Sequence, residues 1–190
     1  MATNFAYHQS GLVLQEELII IEKAKLNPQF FAPIYEKYHN SIFRYVHKRV
    51  DEAEIANDIT SCVFVKALSA LNKYEFRGVP FSSWLFRIAK SELYQSFRDK
   101  KANRTVNIDS VTIVKMVDEF CDDNKEENRQ ELLKNLSLLK EKELQLIELR
   151  FFEKKSFKEI GNILGLTENN VKVKTFRAIS KLRKKFNLQK

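Results

Sequence analysis

Ser156-Phe-Lys-Glu159-Ile-Gly161-Asn-Ile-Leu-Gly165-Leu-Thr167-Glu-Asn-Asn-Val171-Lys-Val-Lys-Thr-Phe-Arg177-Ala178 is the stretch on which the fold turns. Ser156 and Glu159 match a capping box, in which the serine oxygen accepts from the amide three residues on and the glutamate returns to the cap. A helix therefore starts at Phe157, runs through Ile160, Ile163 and Leu164, and stops at Gly165. Thr167 can cap a last helix that turns Val171, Ala178, Leu182 and Phe186 inward. Two helices cross closely only where the first offers a small residue and the turn tolerates a left-handed backbone. Gly161 and Gly165 meet those needs in order. Short helix, glycine turn and basic helix make the helix-turn-helix plan. On the last helix Asn169, Asn170, Lys172, Lys174, Thr175, Arg177, Lys181, Arg183 and Lys184 supply donors suited to base edges and phosphates. Charge alone would suit an ordinary solvated helix. Cap, glycines and spacing together favour the DNA-reading alternative, although Thr167 and Glu168 have purely structural uses at a helix start.

The charge distribution points the same way. The chain carries 33 basic and 25 acidic residues; residues 1–130 hold 18 of each, so the whole excess of +8 lies in residues 131–190. A compact basic segment neutralises phosphates and releases counterions, which makes nucleic acid the first partner to consider. Within the neutral part, Arg87–Arg104 has six basic and two acidic residues, and Thr105–Glu131 has three basic and eight acidic ones. A second basic patch thus precedes an acidic stretch.

Four glycines and three prolines among 190 residues leave few turns for a sandwich or barrel, so the expected fold is all-α in two small domains. Leu12–Leu26 is amphipathic and ends at Asn27-Pro28, so residues 1–27 read as an N-terminal extension. Phe31, Ile34, Tyr35, Tyr38, Ile42, Tyr45 and Val46 predict one long helix over Phe30–Val50. Asp51 offers an N-cap for a second helix carrying Ile55, Ile59, Val63 and Ala67. Asn72–Pro80 is a loop, and Phe81, Trp84, Leu85, Ile88, Ala89 and Leu93 predict a third helix to about Arg98. Residues 102–130 lose the period and read as a linker. It returns from Leu132 through Leu133, Leu136, Leu139, Leu144, Ile147 and Phe151. The expected domains are residues 28–101 and 131–190.

Phe81–Arg98 interleaves rings with cations, as surfaces that hold unpaired bases do. Phe81, Trp84, Leu85 and Ile88 fit a buried stripe better than a base platform. Tyr94, Phe76 and Tyr74 fit it less well and are the better candidates for exposed rings. Arg87, Lys90, Arg98, Lys100, Lys101 and Arg104 would track a backbone in either case.

Cys62 and Cys121 form neither a disulfide scaffold nor a metal cluster, so no metal or cofactor is implied and a reduced compartment is expected. Apolar runs such as Leu18–Ile21 fall far short of the roughly 20 residues that span a bilayer, so no membrane insertion and a cytoplasmic location are expected. A catalytic reading lacks a phosphate loop, H-E-x-x-H or G-x-S-x-G, and His8, His39 and His47 lie apart without metal-ligand spacing. An enzyme is not expected. A stand-alone helix-turn-helix regulator is the closer rival.

Asp58-Ile-Thr-Ser-Cys-Val-Phe64-Val-Lys-Ala, then Phe81-Ser-Ser-Trp-Leu-Phe-Arg-Ile-Ala89, then Leu139-Lys-Glu-Lys-Glu-Leu, Phe151-Phe, Ser156-Phe-Lys-Glu-Ile-Gly, Gly165-Leu-Thr and Val171-Lys172 resemble, in that order, the extracytoplasmic-function (ECF) group of bacterial RNA polymerase sigma factors. The likeness covers about Phe30 to Phe186. It implies a sigma-two-like domain that docks on the β′ clamp helices of core RNA polymerase through Asp58, Ile59, Ser61, Cys62, Val65 and Lys66. It further implies capture of the promoter −10 element by Asn72, Lys73, Tyr74, Phe76, Trp84, Arg87, Lys90, Ser91, Tyr94 and Arg98. A sigma-four-like domain would meet the β flap and read the −35 element through Thr167, Asn169, Asn170, Lys172, Lys174 and Arg177. Promoter DNA and an anti-sigma factor are the other implied partners, and the acidic linker would thread along the polymerase. Ser61-Cys62 stands where many members carry Gln-Glu, and Ser91 and Gln95 where they carry Asn and Asp. Those departures imply an altered promoter preference.

Overall fold

A computed structural model describes residues 11–50, 52–99 and 139–187, with side chains as far as Leu182. The described residues contain seven α-helices in two units: α1 (Gly11–Leu26), α2 (Ala32–His47), α3 (Ala53–Ser69) and α4 (Phe81–Arg98) form the first, and α5 (Glu141–Ile147), the greater part of α6 (Phe157–Leu164) and α7 (Glu168–Asn187) the second. The expected linker, Asp51, Lys100, Lys101, Arg104, Cys121, His8, Leu132, Leu133, Leu136 and the side chains of Arg183, Lys184 and Phe186 lie outside the described residues.

The first core forms where three apolar stripes meet. Ile34, Tyr38, Ile42, Tyr45 and Val46 of α2, Ala56, Ile59, Val63, Phe64 and Ala67 of α3, and Phe81, Leu85, Phe86, Ala89 and Leu93 of α4 are all buried. Their periods of three and four keep one stripe inward over each helix. Edge-to-face rings knit the stripes together: Phe31 lies 6.5 Å from Phe64 and 6.3 Å from Phe81, and Tyr45 lies 4.9 Å from Phe86. Burying each such side chain contributes about 1.5–3 kcal/mol. Trp84 and Ile88 stand at the border of the α4 stripe and are half-buried.

The N-terminal course of the first unit departs from the sequence reading. The long helix expected over Phe30–Val50 is divided into a 3-10 turn, Pro28–Phe31, and α2. Pro28 and Pro33 both occupy helix-start positions, where a missing N–H costs nothing, and Asn27 Oδ1 accepts from the Gln29 amide at 3.0 Å. The N-terminal helix α1 also packs on the unit, burying Ile21, Ala24 and the carboxylate of Glu17.

In the second unit α5 runs into one π turn, Glu148–Phe152, and then the helix-turn-helix. The capping box forms as the sequence predicts: Ser156 Oγ accepts from the Glu159 amide at 3.2 Å, and Glu159 Oε2 accepts from the Ser156 amide at 2.8 Å. Gly165 ends α6 at φ 69°, where its amide and that of Leu166 both donate to the Gly161 carbonyl. The Thr167 hydroxyl caps α7, accepting from the Asn170 amide at 3.3 Å. Leu144, Ile147, Ile160, Ile163, Val171, Ala178 and Leu182 fill the interior.

Thr175, expected among the outward donors, is instead 1% exposed. It follows Val171 by four residues and precedes Ala178 by three, which places it on the inward stripe. Its hydroxyl has no hydrogen-bond partner. A buried unsatisfied hydroxyl costs about 1–3 kcal/mol, so the nearly isosteric Thr175→Val should raise the melting temperature of the second unit. A lower melting temperature in a thermal scan would contradict that account.

Candidate nucleic-acid and partner interfaces

The inward stripe of α3 fixes which of its residues face out. With Ala56, Thr60, Val63 and Ala67 buried, Asp58, Ser61, Cys62, Val65 and Lys66 are exposed on the opposite side. Ile59, expected among them, is buried and belongs to the core, because it shares the stripe of Val63 four residues on. Val65 is 64% exposed and Leu68 37%, so an apolar ridge protrudes among polar side chains. Lys66 reaches Glu92 of α4 at 2.6 Å, which fixes the edge of this face. A stripe of exposed apolar residues bounded by charge is the composition of a protein-docking surface.

On α4 Trp84, Arg87, Ser91, Tyr94 and Arg98 recur every three or four residues and share one side, with Lys90 beside them. Arg87, Ser91 and Arg98 are exposed; Trp84, Lys90 and Tyr94 are half-buried. Arg98 donates to Gln95, and Gln95 Nε2 donates to Asp99 at 2.9 Å, so the end of this face is held by its own helix. The segment before α4 begins with a 3-10 turn, Leu71–Lys73, and turns back at Gly78 with φ 65°. Asn72, Lys73 and Phe76 are exposed.

Tyr74 is not the exposed ring the sequence suggested. It is 7% exposed and packs 4.9 Å from Phe81 and 5.2 Å from Trp84. Burial, with the carboxylates of Glu17 and Glu22 nearby, pushes its phenol from the ordinary 10.0 up to about 12, so it stays neutral at physiological pH. Its ring packs against Phe81 and Trp84 at the start of α4.

On α7 Thr167, Asn169, Asn170, Lys174 and Arg177 are exposed, and the Thr167 hydroxyl is engaged as the cap. Lys172 is half-buried, pairs with Glu168 at 2.8 Å and lies 5.9 Å from the Phe157 ring. Arg150 stacks on the same ring at 4.2 Å. Val173 and Phe176 are exposed beside these polar groups and were not singled out from sequence; each is adjacent to a residue that was. Lys181 donates to Glu143 at 2.8 Å and holds that carboxyl below its ordinary range, tying α7 to α5. A depressed folded-state pKa makes this contribution complete above the carboxyl's unfolded value and lost as acid protonates Glu143.

A helix-turn-helix with outward donors, in a chain whose other unit carries a ring-and-cation face, defines a DNA-binding transcription factor. Two family descriptions match the chain in order: "Sigma-70 region 2" over residues 34–103 and "Sigma-70, region 4" over residues 136–184. RNA polymerase sigma factor YlaC of Bacillus subtilis is 30% identical over 159 residues, covering 80% of this chain and 88% of that protein. ECF RNA polymerase sigma factor BldN of Streptomyces coelicolor is 25% identical over 166 residues, covering 86% of this chain, which spans 63% of BldN's length. The fold is similar to that of the sigma factor RpoE in its co-crystal structure with the anti-sigma factor NepR from Bartonella quintana, with a TM-score of 0.55, 17% identity, and 84% of this chain and 98% of that one covered. The chain belongs to the sigma-70 family of RNA polymerase sigma factors, in its ECF group. Binding core polymerase and recognising promoters are the general role of that family. Among the described residues no helix is long and apolar enough to cross a membrane.

Proposed function

We propose that this chain docks on core RNA polymerase through the outer face of α3 and directs initiation at promoters whose −10 and −35 elements it reads itself. Asp58, Ser61, Cys62, Val65 and Lys66 form the docking face, with Ile59 supporting it from the core. Asn72, Lys73, Phe76 and the α4 face from Trp84 to Arg98 hold the opened −10 strand, and Tyr74 supports them. Asn169, Asn170, Lys172, Lys174 and Arg177 of α7 read the −35 duplex, with Thr167 fixing the start of that helix. The β flap is the polymerase element met by the second unit. The chain works by binding, beside the polymerase in the cytoplasm, and adds no catalytic step. An anti-sigma factor is its regulatory partner.

The observation that carries this reading is the exposure of Asn169, Asn170, Lys174 and Arg177 on a helix set by a glycine turn and a threonine cap. Donors fixed in one orientation suit the major groove, where a good pairing discriminates by about 1–3 kcal/mol. Arg177→Ala should weaken −35-dependent run-off transcription by about that amount. Lys172→Ala should do so less, since Glu168 and Phe157 already engage its ammonium. Unchanged transcription in both variants would remove α7 from the recognition role. The assembly itself is tested by one-to-one co-elution with bacterial core RNA polymerase on size exclusion. Tight binding to duplex DNA as a dimer, without co-elution, would identify a stand-alone regulator instead.

A further inference from the structure

Within the candidate −10 loop, the Tyr74–Pro80 segment is held at both ends by one helix that the recognition surfaces do not include. Helix α4 begins at Phe81 behind Pro80, which has no side chain able to cap it. The missing acceptor comes from 64 residues earlier: Glu17 Oε2 of α1 accepts from the Phe81 amide at 2.7 Å. Glu17 is 4% exposed, so its charge must be compensated where it lies. Its other oxygen accepts from Lys37 Nζ at 2.8 Å and from the Tyr38 hydroxyl, both on α2. A carboxylate at the start of a helix is favoured by the helix dipole and makes a charge-assisted bond with the first amide. Two turns further along α1, Lys25 Nζ donates to the Tyr74 carbonyl at 3.2 Å, steadied by Glu22 at 2.8 Å. One helix therefore holds the first residue of the Tyr74–Pro80 segment and the residue just beyond its last.

We propose that α1 is a clasp that positions the −10 loop, with Glu17 and Lys25 as positioning residues for capture of the opened promoter strand. The proposal rests on the reading of Asn72–Pro80 as the loop that takes the −10 bases. Anchoring both ends reduces the conformations the loop must give up when a base enters, which favours binding without any contact between α1 and DNA. The docking face on α3 is not fastened by α1 in this way, so core binding should be indifferent to the clasp.

The test uses the full chain assembled with core polymerase and a single-stranded oligonucleotide of the −10 sequence mapped from this holoenzyme's own transcripts. Glu17→Gln removes the charge with little change of shape, and Lys25→Ala frees the loop's other end at a half-buried position that does not endanger the core. Each should lower affinity for the −10 strand about fivefold, while co-elution with core and binding of −35 duplex stay at the wild-type level. General destabilisation of the first unit would instead reduce core binding in parallel, and that result would overturn the proposal. If Glu17→Gln fails to fold, Lys25→Ala decides. Phe76→Ala, in the loop itself, separates the two readings. A loss there with both α1 variants at wild-type affinity defeats the clasp and leaves the loop assignment standing. No loss in Phe76→Ala defeats the loop assignment and the clasp with it.

Discussion

Val65→Glu should abolish co-elution with core RNA polymerase while leaving the chain as well folded as before. Val65 is 64% exposed on α3, opposite the buried Val63 and Ala67, so the free chain loses almost no packing when it is changed. Glutamate also has the better helix propensity, so the melting temperature should be unchanged or slightly higher. The effect appears only when the ridge of Val65 and Leu68 is covered by a partner. An apolar anchor at the centre of an interface is worth about 2–4 kcal/mol, and burying an unpaired carboxylate in its place adds a desolvation penalty. The affinity should fall about a hundredfold or more, which empties the complex peak when the mixture is run at a concentration near the wild-type dissociation constant. Asp58→Arg, one turn from Ser61 and Cys62 on the same exposed side, should weaken the complex through reversed charge. Co-elution of both variants at the wild-type level would show that α3 docks elsewhere or not at all.

How much of this surface was legible in the sequence depends on the kind of signal each residue leaves. The helix-turn-helix is written in local chemistry: Ser156 and Glu159 satisfy each other's amides, Gly165 takes a left-handed backbone, and Thr167 caps the helix after the turn. None of these needs a distant partner, so each can be read from neighbouring residues. The start of α4 at Phe81 is legible for the same reason, since Gly78 and Pro80 interrupt the period just before it. Ile59 is buried although likeness to a docking motif places it among outward residues, because the helical period puts it in line with Val63. Thr175, a hydroxyl on a basic helix, looks like a DNA donor, yet its spacing from Val171 and Ala178 turns it inward. Tyr74 lies in an irregular segment with no period to consult, and its burial is created by Phe81 and Trp84. The place of α1 was hidden by a different cause. Leu12–Leu26 reads as amphipathic, but Leu12, Val13, Leu14, Leu18, Ile19, Ile20 and Ile21 cover much of the circumference of α1 and Leu12, Val13 and Ile19 are exposed, so no single apolar stripe marks the face that packs. That face is fixed instead by the pairing of Glu17 with the amide of Phe81, a contact across 64 residues.

Gly161→Val should unfold the helix-turn-helix while the first unit stays intact. A Cβ at Gly161 would stand 2.6 Å from the Leu166 carbonyl oxygen, a backbone atom in the turn that leads into α7. That atom cannot rotate away as a side chain would, because the Leu166 amide is fastened to the Gly161 carbonyl at 2.9 Å. The clash can be relieved only by prising α6 from the turn, and valine's two further carbons enlarge the displacement. Overpacking of this kind costs about 1–3 kcal/mol and more where backbone must move. A unit of roughly fifty residues has only about 2.5–7.5 kcal/mol of stability to lose. Gly165 provides the internal contrast. Nothing lies within 4 Å of a Cβ built there, so Gly165→Ala bears only the strain of its φ of 69°, about 1–2 kcal/mol, and should leave the unit folded. Hydrogen exchange of the full chain distinguishes the two variants. In Gly161→Val, amides of residues 157–182 should lose protection while those of α2, α3 and α4 keep theirs, and −35 duplex binding should disappear with core co-elution retained. Wild-type protection and −35 binding in Gly161→Val would mean that α6 and the turn into α7 do not approach as closely as this geometry requires.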